Sequence, residues 1–104
     1  MKGRYFLSRA AERDLDRIWD YSADRWDQAQ ADSYLRRIQA AMAGLCDFPE
    51  TGRAVDDISP GYRVLSVEAH CIFYRTSTDA VEIVRILHGR MDPQGQFAMA
   101  RNGS

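Results

Sequence analysis

The chain has 104 residues, 14 basic and 15 acidic, giving a formal charge of −1, with 45% apolar and 28% charged residues. This is one domain's length and too apolar for a disordered chain. The balanced charge argues against an autonomous nucleic-acid binder working by bulk electrostatics. No apolar run approaches the roughly 18 residues of a membrane span, and the start Met1–Ser8 lacks the apolar core of a signal peptide. A cytoplasmic location with no membrane partner is therefore expected. Cys46 and Cys71 stand in no metal-binding spacing and read as two free thiols.

Residues 4–7 are short and apolar and can form a strand. Ser8 suits a helix N-cap, its hydroxyl accepting from an early backbone N–H. Ala11, Leu15, Ile18, Trp19 and Ser22 then recur at steps of three and four, the register of one helix face. Charged side chains such as Arg13, Asp16 and Asp20 fill the solvated side.

Trp26-Asp27 marks a break, and Asp27 with Gln30 three residues on resembles a capping box. Tyr34, Leu35, Ile38, Met42 and Leu45 repeat at helical spacing after it. Two helices so close in sequence predict an antiparallel hairpin. Gly44 and Phe48-Pro49 signal its end.

Residues 48–61 read as loop. Strand-like patterns follow at Tyr62–Val67, His70–Arg75 and Val81–Leu87, joined by short turns, which predicts an antiparallel meander. The order strand, two helices, three strands gives an α+β class: a two-layer β-α-α-β-β-β domain with the hairpin packed on a mostly antiparallel four-stranded sheet. Residues 1–92 form that domain in this reading. Residues 93–104 are a tail expected to be poorly ordered without a partner. The sheet's second face is expected to be uncovered, presenting either Val81, Ile83, Arg85 and Leu87 or Glu82, Val84 and Ile86 to a partner or ligand.

For chemistry, the chain has no nucleophile-elbow, phosphate-loop or zinc-protease motif. His70 and His88 are its only histidines, too few for a His-rich metal site, so no metal or cofactor is expected. His70 and Cys71 are neighbours on a strand and point to opposite faces, a poor nucleophile–base pair. Arg63, Arg75, Arg85 and His88 lie on neighbouring strands. Together they can hold a phosphodiester and move a proton, or the arginines can pair with Asp56, Asp57, Glu68 or Glu82. Trp19 and Tyr34 fall in core register, while Trp26 sits at the hairpin corner.

Taken in order, a set of local patterns resembles the ParE toxins of the RelE/ParE superfamily. They are Leu7-Ser8, Asp14-Leu15, Ile18-Trp19-Asp20-Tyr21, Arg25-Trp26, Tyr34-Leu35, Gly52-Arg53, Pro60-Gly61-Tyr62-Arg63, His70–Arg75 and Ile83–Asp92. The resemblance implies the toxin of a type II toxin–antitoxin pair that inhibits DNA gyrase by binding. It implies neutralisation by a ParD-like antitoxin with a ribbon-helix-helix part, through which the complex reaches operator DNA. The related RelE branch cuts mRNA on the ribosome, and the candidate catalytic set for that alternative is Arg63, Arg85 and His88. The only lysine is Lys2 and no tyrosine follows Tyr74, absences that favour the ParE branch. Leu15, Ile18, Trp19, Tyr34, Leu35 and Ile38 are the antitoxin-binding candidates, as core or as groove floor. A third possibility is an inactive relic that binds only its antitoxin.

Overall fold

The computed structural model describes residues 4–89. In chain order these form β1 (Arg4–Leu7), α1 (Arg9–Arg25), α2 (Gln28–Asp47), β2 (Arg53–Ala54), β3 (Arg63–Val67), β4 (His70–Thr76) and β5 (Ala80–His88). Both helix starts follow from their caps. Ser8 Oγ accepts from the Ala11 N–H at 3.0 Å, and Asp27 Oδ1 accepts from the Gln30 N–H at 2.8 Å. Each relieves a backbone donor that the helix itself leaves unpaired.

The sheet has five strands in the order β1-β5-β4-β3-β2, against the four expected. The addition is β2, a two-residue strand antiparallel to β3 inside the segment read as loop. Two residues are too few for an alternation to register. β1 runs parallel to β5 and the remaining pairs are antiparallel, so the sheet is mixed. The expected tail at 93–104 lies outside the described residues.

The main core lies between hairpin and sheet. Ala11, Ile18, Tyr34, Ile38, Met42 and Leu45 from the helices meet Ile72, Tyr74, Val81, Ile83 and Ile86 from the strands. Burying these side chains, about 1.5–3 kcal/mol for each of the larger aliphatic ones, holds the two layers together.

The second face of the sheet is not left bare as expected. Val55, Val64, Phe73 and Leu87 form a small second core there, with Ile58, Tyr62 and Val84 against it. The segment 55–62 folds back over the strands. It is held compact by bonds from the Val55 N–H to Tyr62 O, from the Ile58 N–H to Val55 O and from the Tyr62 N–H to Ser59 O. Gly61 takes φ +83°, which glycine adopts without strain, and its N–H donates to Asp56.

Neither alternating set expected for β5 survives. Phe73 pairs with Arg85 but Tyr74 pairs with Ile83, so Val84 is a bulged residue. The bulge resets the phase: Val81, Ile83 and Ile86 face the helices, while Val84 and Leu87 face the second core. One extra residue in a strand is enough to reverse which side a position serves.

Candidate functional site

Past Leu7, where the pairing of β1 with β5 ends at Ile83, the backbone of β5 is met by side chains of the α1 N-cap and of α1 itself. Ser8 Oγ donates to Val84 O at 2.7 Å. The Asp14 carboxylate accepts from the Ile86 N–H at 2.9 Å and from Arg85 Nε and Nη2 at 2.8 and 3.0 Å. Asp14 is buried on the stripe that also holds Ala11, Ile18 and Ser22. Its two-pronged hydrogen bonding pushes the Arg85 guanidinium above its ordinary value, outweighing the opposing effect of burial.

Arg63 is tied to its own chain through one nitrogen. Its Nη1 donates to Gly52 O at 2.7 Å. Beside it, the Tyr74 hydroxyl accepts from the Gly52 N–H and donates to Pro49 O, at 2.9 and 2.7 Å. These bonds fasten the segment after α2 to the sheet. Burial raises the Tyr74 hydroxyl pKa, which keeps it a neutral donor. Arg75 pairs with Glu82 at 2.6 Å, one of the partners anticipated for it.

The possible catalytic set is therefore not assembled. Arg63 stands opposite Tyr74 and His88 opposite His70, four positions apart along β4. At roughly 3.3 Å per residue that is about 13 Å of strand. Arg85 is held by its own chain through two guanidinium nitrogens, and Arg63 through one.

His88 belongs to another constellation. Rings of Trp26, Tyr34, His70 and His88 follow one another with centroids 6.5, 5.5 and 5.3 Å apart, from the hairpin corner to the end of β5. The Tyr34 hydroxyl lies 2.6 Å from His70 Nδ1. Burial first, and His88 second, lower the His70 pKa, while Asp14 opposes them; burial raises that of Tyr34. Both groups are thus favoured neutral, as a shared hydrogen bond between them requires. These rings and α1 wall a cleft of about 480 Å³ that also takes in Tyr21, Arg25, Arg37 and Glu68.

The hairpin candidates divide by burial. Ile18, Tyr34 and Ile38 are core, with Ile38 fully enclosed. Leu15, Trp19 and Leu35 are half-buried, and Trp19 Nε1 donates to Asp32 Oδ1 at 2.9 Å, tying α1 to α2. Asp14 and the ring sequence escaped the sequence reading. The first had a legible signal: positions 11, 14, 18 and 22 share one helix face, and a carboxylate there requires a partner.

The family described as ParE toxin of type II toxin-antitoxin system, parDE, matches residues 5–93. This chain belongs to the ParE toxin family. It is 48% identical over 93 residues to Toxin ParE1 of Mycobacterium tuberculosis, covering 88% of this chain and 95% of that one. Toxin ParE1 of Caulobacter vibrioides is 41% identical, with coverage of 89% and 96%. Toxin ParE of Escherichia coli is 31% identical, with coverage of 90% and 92%. A solved structure titled as the chromosomal ParDE system of P. aeruginosa superposes with a TM-score of 0.73 at 23% identity, over 85% of this chain and 96% of that one. At that identity the likeness speaks for the fold alone. The ParE match spans every described strand and both helices except Arg4, so the bulge, the clamp at Gly52 and the cleft all lie inside it.

Proposed function

We propose that this ParE-family toxin acts in the cytoplasm by binding DNA gyrase, without catalytic turnover, and is held inactive by a ParD-like antitoxin. The observation that carries the reading is the family match along residues 5–93. Arg63 and Arg85 are bonded within the chain, and neither meets His88 in a shared cleft.

The antitoxin's segment docks along the hairpin over Leu15, Trp19 and Leu35, which are half-buried above the enclosed Ile18, Tyr34 and Ile38. A ribbon-helix-helix part of the antitoxin carries the complex to operator DNA. Charge at the half-buried positions tests the groove: Leu15→Glu or Leu35→Glu weakens antitoxin binding while circular dichroism stays that of the parent. Unchanged affinity in both would remove the groove.

Gyrase supercoiling tests the target. The purified chain should inhibit it at stoichiometric ratio, and prior addition of the antitoxin should restore it. Intact supercoiling, with site-specific cuts in ribosome-bound mRNA that vanish in His88→Ala, would replace this reading with the nuclease one.

A further inference from the structure

The cleft beside His70 and His88 has features that neither the core nor the hairpin stripe explains. Tyr21 and Trp26, on its rim, are 59% and 53% exposed, although Trp26 meets Tyr34 edge-on and Arg25 lies over Tyr21. Around them three arginines, Arg17, Arg25 and Arg37, face two carboxylates, Asp14 and Glu68. Arg25 and Arg37 line the cleft, and Arg17 lines an adjoining hollow of about 230 Å³ that shares Tyr21, His70 and His88.

The carboxylates lining these spaces are already engaged. Asp14 is bonded to Arg85 and the Ile86 N–H, and Glu68 pairs with Arg37 at 3.0 Å. Among the described residues Arg17 and Arg25 have no carboxylate within ion-pairing distance. Arg25 instead lies over the Tyr21 ring, 5.8 Å from its centroid. A guanidinium held over an aromatic face keeps its N–H fork available to an incoming acid.

We propose that this cleft binds an acidic side chain of a partner polypeptide, with a neighbouring apolar residue of the same segment packed on Tyr21 and Trp26. The partner class rests on the antitoxin reading above, but the cleft is distinct from the Leu15–Trp19–Leu35 stripe. A peptide fits better than a nucleic acid. α1 also exposes Glu12, Asp16, Asp20 and Asp24, which repel a polyanion, while one carboxylate reaches Arg25 past them. The aromatic rim suits an apolar anchor beside that carboxylate.

The test titrates the isotopically labelled full chain with the peptide acetyl-Phe-Glu-Glu-Leu-amide, its neutral counterpart acetyl-Phe-Gln-Gln-Leu-amide, and inorganic phosphate. The Trp26 indole N–H and the His70 and His88 ring resonances are followed. The acidic peptide should shift all three saturably and bind about tenfold more tightly than the neutral one, the size of one charge-assisted hydrogen bond. Arg25→Gln should remove that preference. Glu68→Gln, which releases Arg37, should enlarge it. Equal affinity for the two peptides, an equal response to phosphate, or no shift at millimolar peptide would overturn the proposal. An antitoxin complex that forms while the peptides leave these resonances still would discard this cleft and keep the antitoxin reading. Binding of the acidic peptide with no antitoxin partner would do the reverse.

Discussion

Two arginines on the sheet, Arg63 and Arg85, and two on the helices, Arg25 and Arg37, are chemically identical and differently placed. Arg63 and Arg85 reach inward and satisfy the chain's own irregularities, a loop crossing at Gly52 and a bulge at Val84. Arg25 and Arg37 stay at the surface over tyrosine rings, beside a cleft. Among the described residues no buried side-chain nitrogen or oxygen lacks a partner, and the hydrogen bonds of the inward pair go to the chain itself. The contrast shows that basic side chains clustered on a sheet are not a site until their hydrogen bonds have been followed to their ends.

The contrast is open to attack first at Asp14. Asp14→Ala strands Arg85 and the Ile86 N–H in a nearly dry setting and should cost about 3–5 kcal/mol, the usual result of removing one partner of a buried pair. Urea denaturation measures it, and a loss below about 1 kcal/mol would mean that the bulge does not depend on α1. Gly52→Ala comes next. A Cβ there would stand 2.5 Å from the Tyr74 hydroxyl and 2.7 Å from Val64 O. The resulting displacement should lower stability by about 1–3 kcal/mol, read from the shift in thermal midpoint. Trp19→Phe keeps one six-membered aromatic ring but loses the five-membered part of the indole and its exposed hydrogen bond to Asp32, so about 1 kcal/mol is expected, read in the same urea experiment.

The smallest effect is a change in pH dependence at the open end. The His70 pKa is depressed in the fold, so the unfolded chain takes up the proton first as pH falls below the ordinary histidine value of about 6.5. Its contribution to stability is present above that value and is lost as pH drops through the folded one. Tyr34 and Arg37 from α2, Asp14, Arg17 and Tyr21 from α1, Glu68 from the turn and His88 from β5 surround this cleft and the hollow beside it. Comparing thermal midpoints at pH 7.5 and pH 5.5, His70→Gln should lose less stability on acidification than the parent. Equal losses would place the acid sensitivity elsewhere.

Much of the frame was legible because each element announces itself locally. Ser8 and Asp27 cap where their side chains predicted, and the stripes Ala11–Ile18 and Tyr34–Ile38–Met42–Leu45 do bury. What escaped depends on contacts between distant residues. The two-residue β2 exists only through β3, and the cover over the second sheet face needs Val55 to fold back onto Phe73 and Leu87. The bulge at Val84 defeated strict alternation because its support, Asp14, is seventy positions away in the chain or thereabouts. The candidate site divided the same way. The hairpin stripe was visible as a period. The row of Trp26, Tyr34, His70 and His88 comes from four elements or their ends, and no spacing along the chain could reveal it.

The reading of this ParE-family chain as a binder meets its most direct test in a stoichiometric titration. Gyrase is incubated with increasing amounts of the purified chain, and residual supercoiling is followed over time at each ratio. The account predicts a loss that scales with the ratio of chain to gyrase and does not grow with longer incubation, as for a complex at equilibrium. Supercoiling that stays intact at excess chain, or one chain progressively disabling many gyrase molecules, would contradict it.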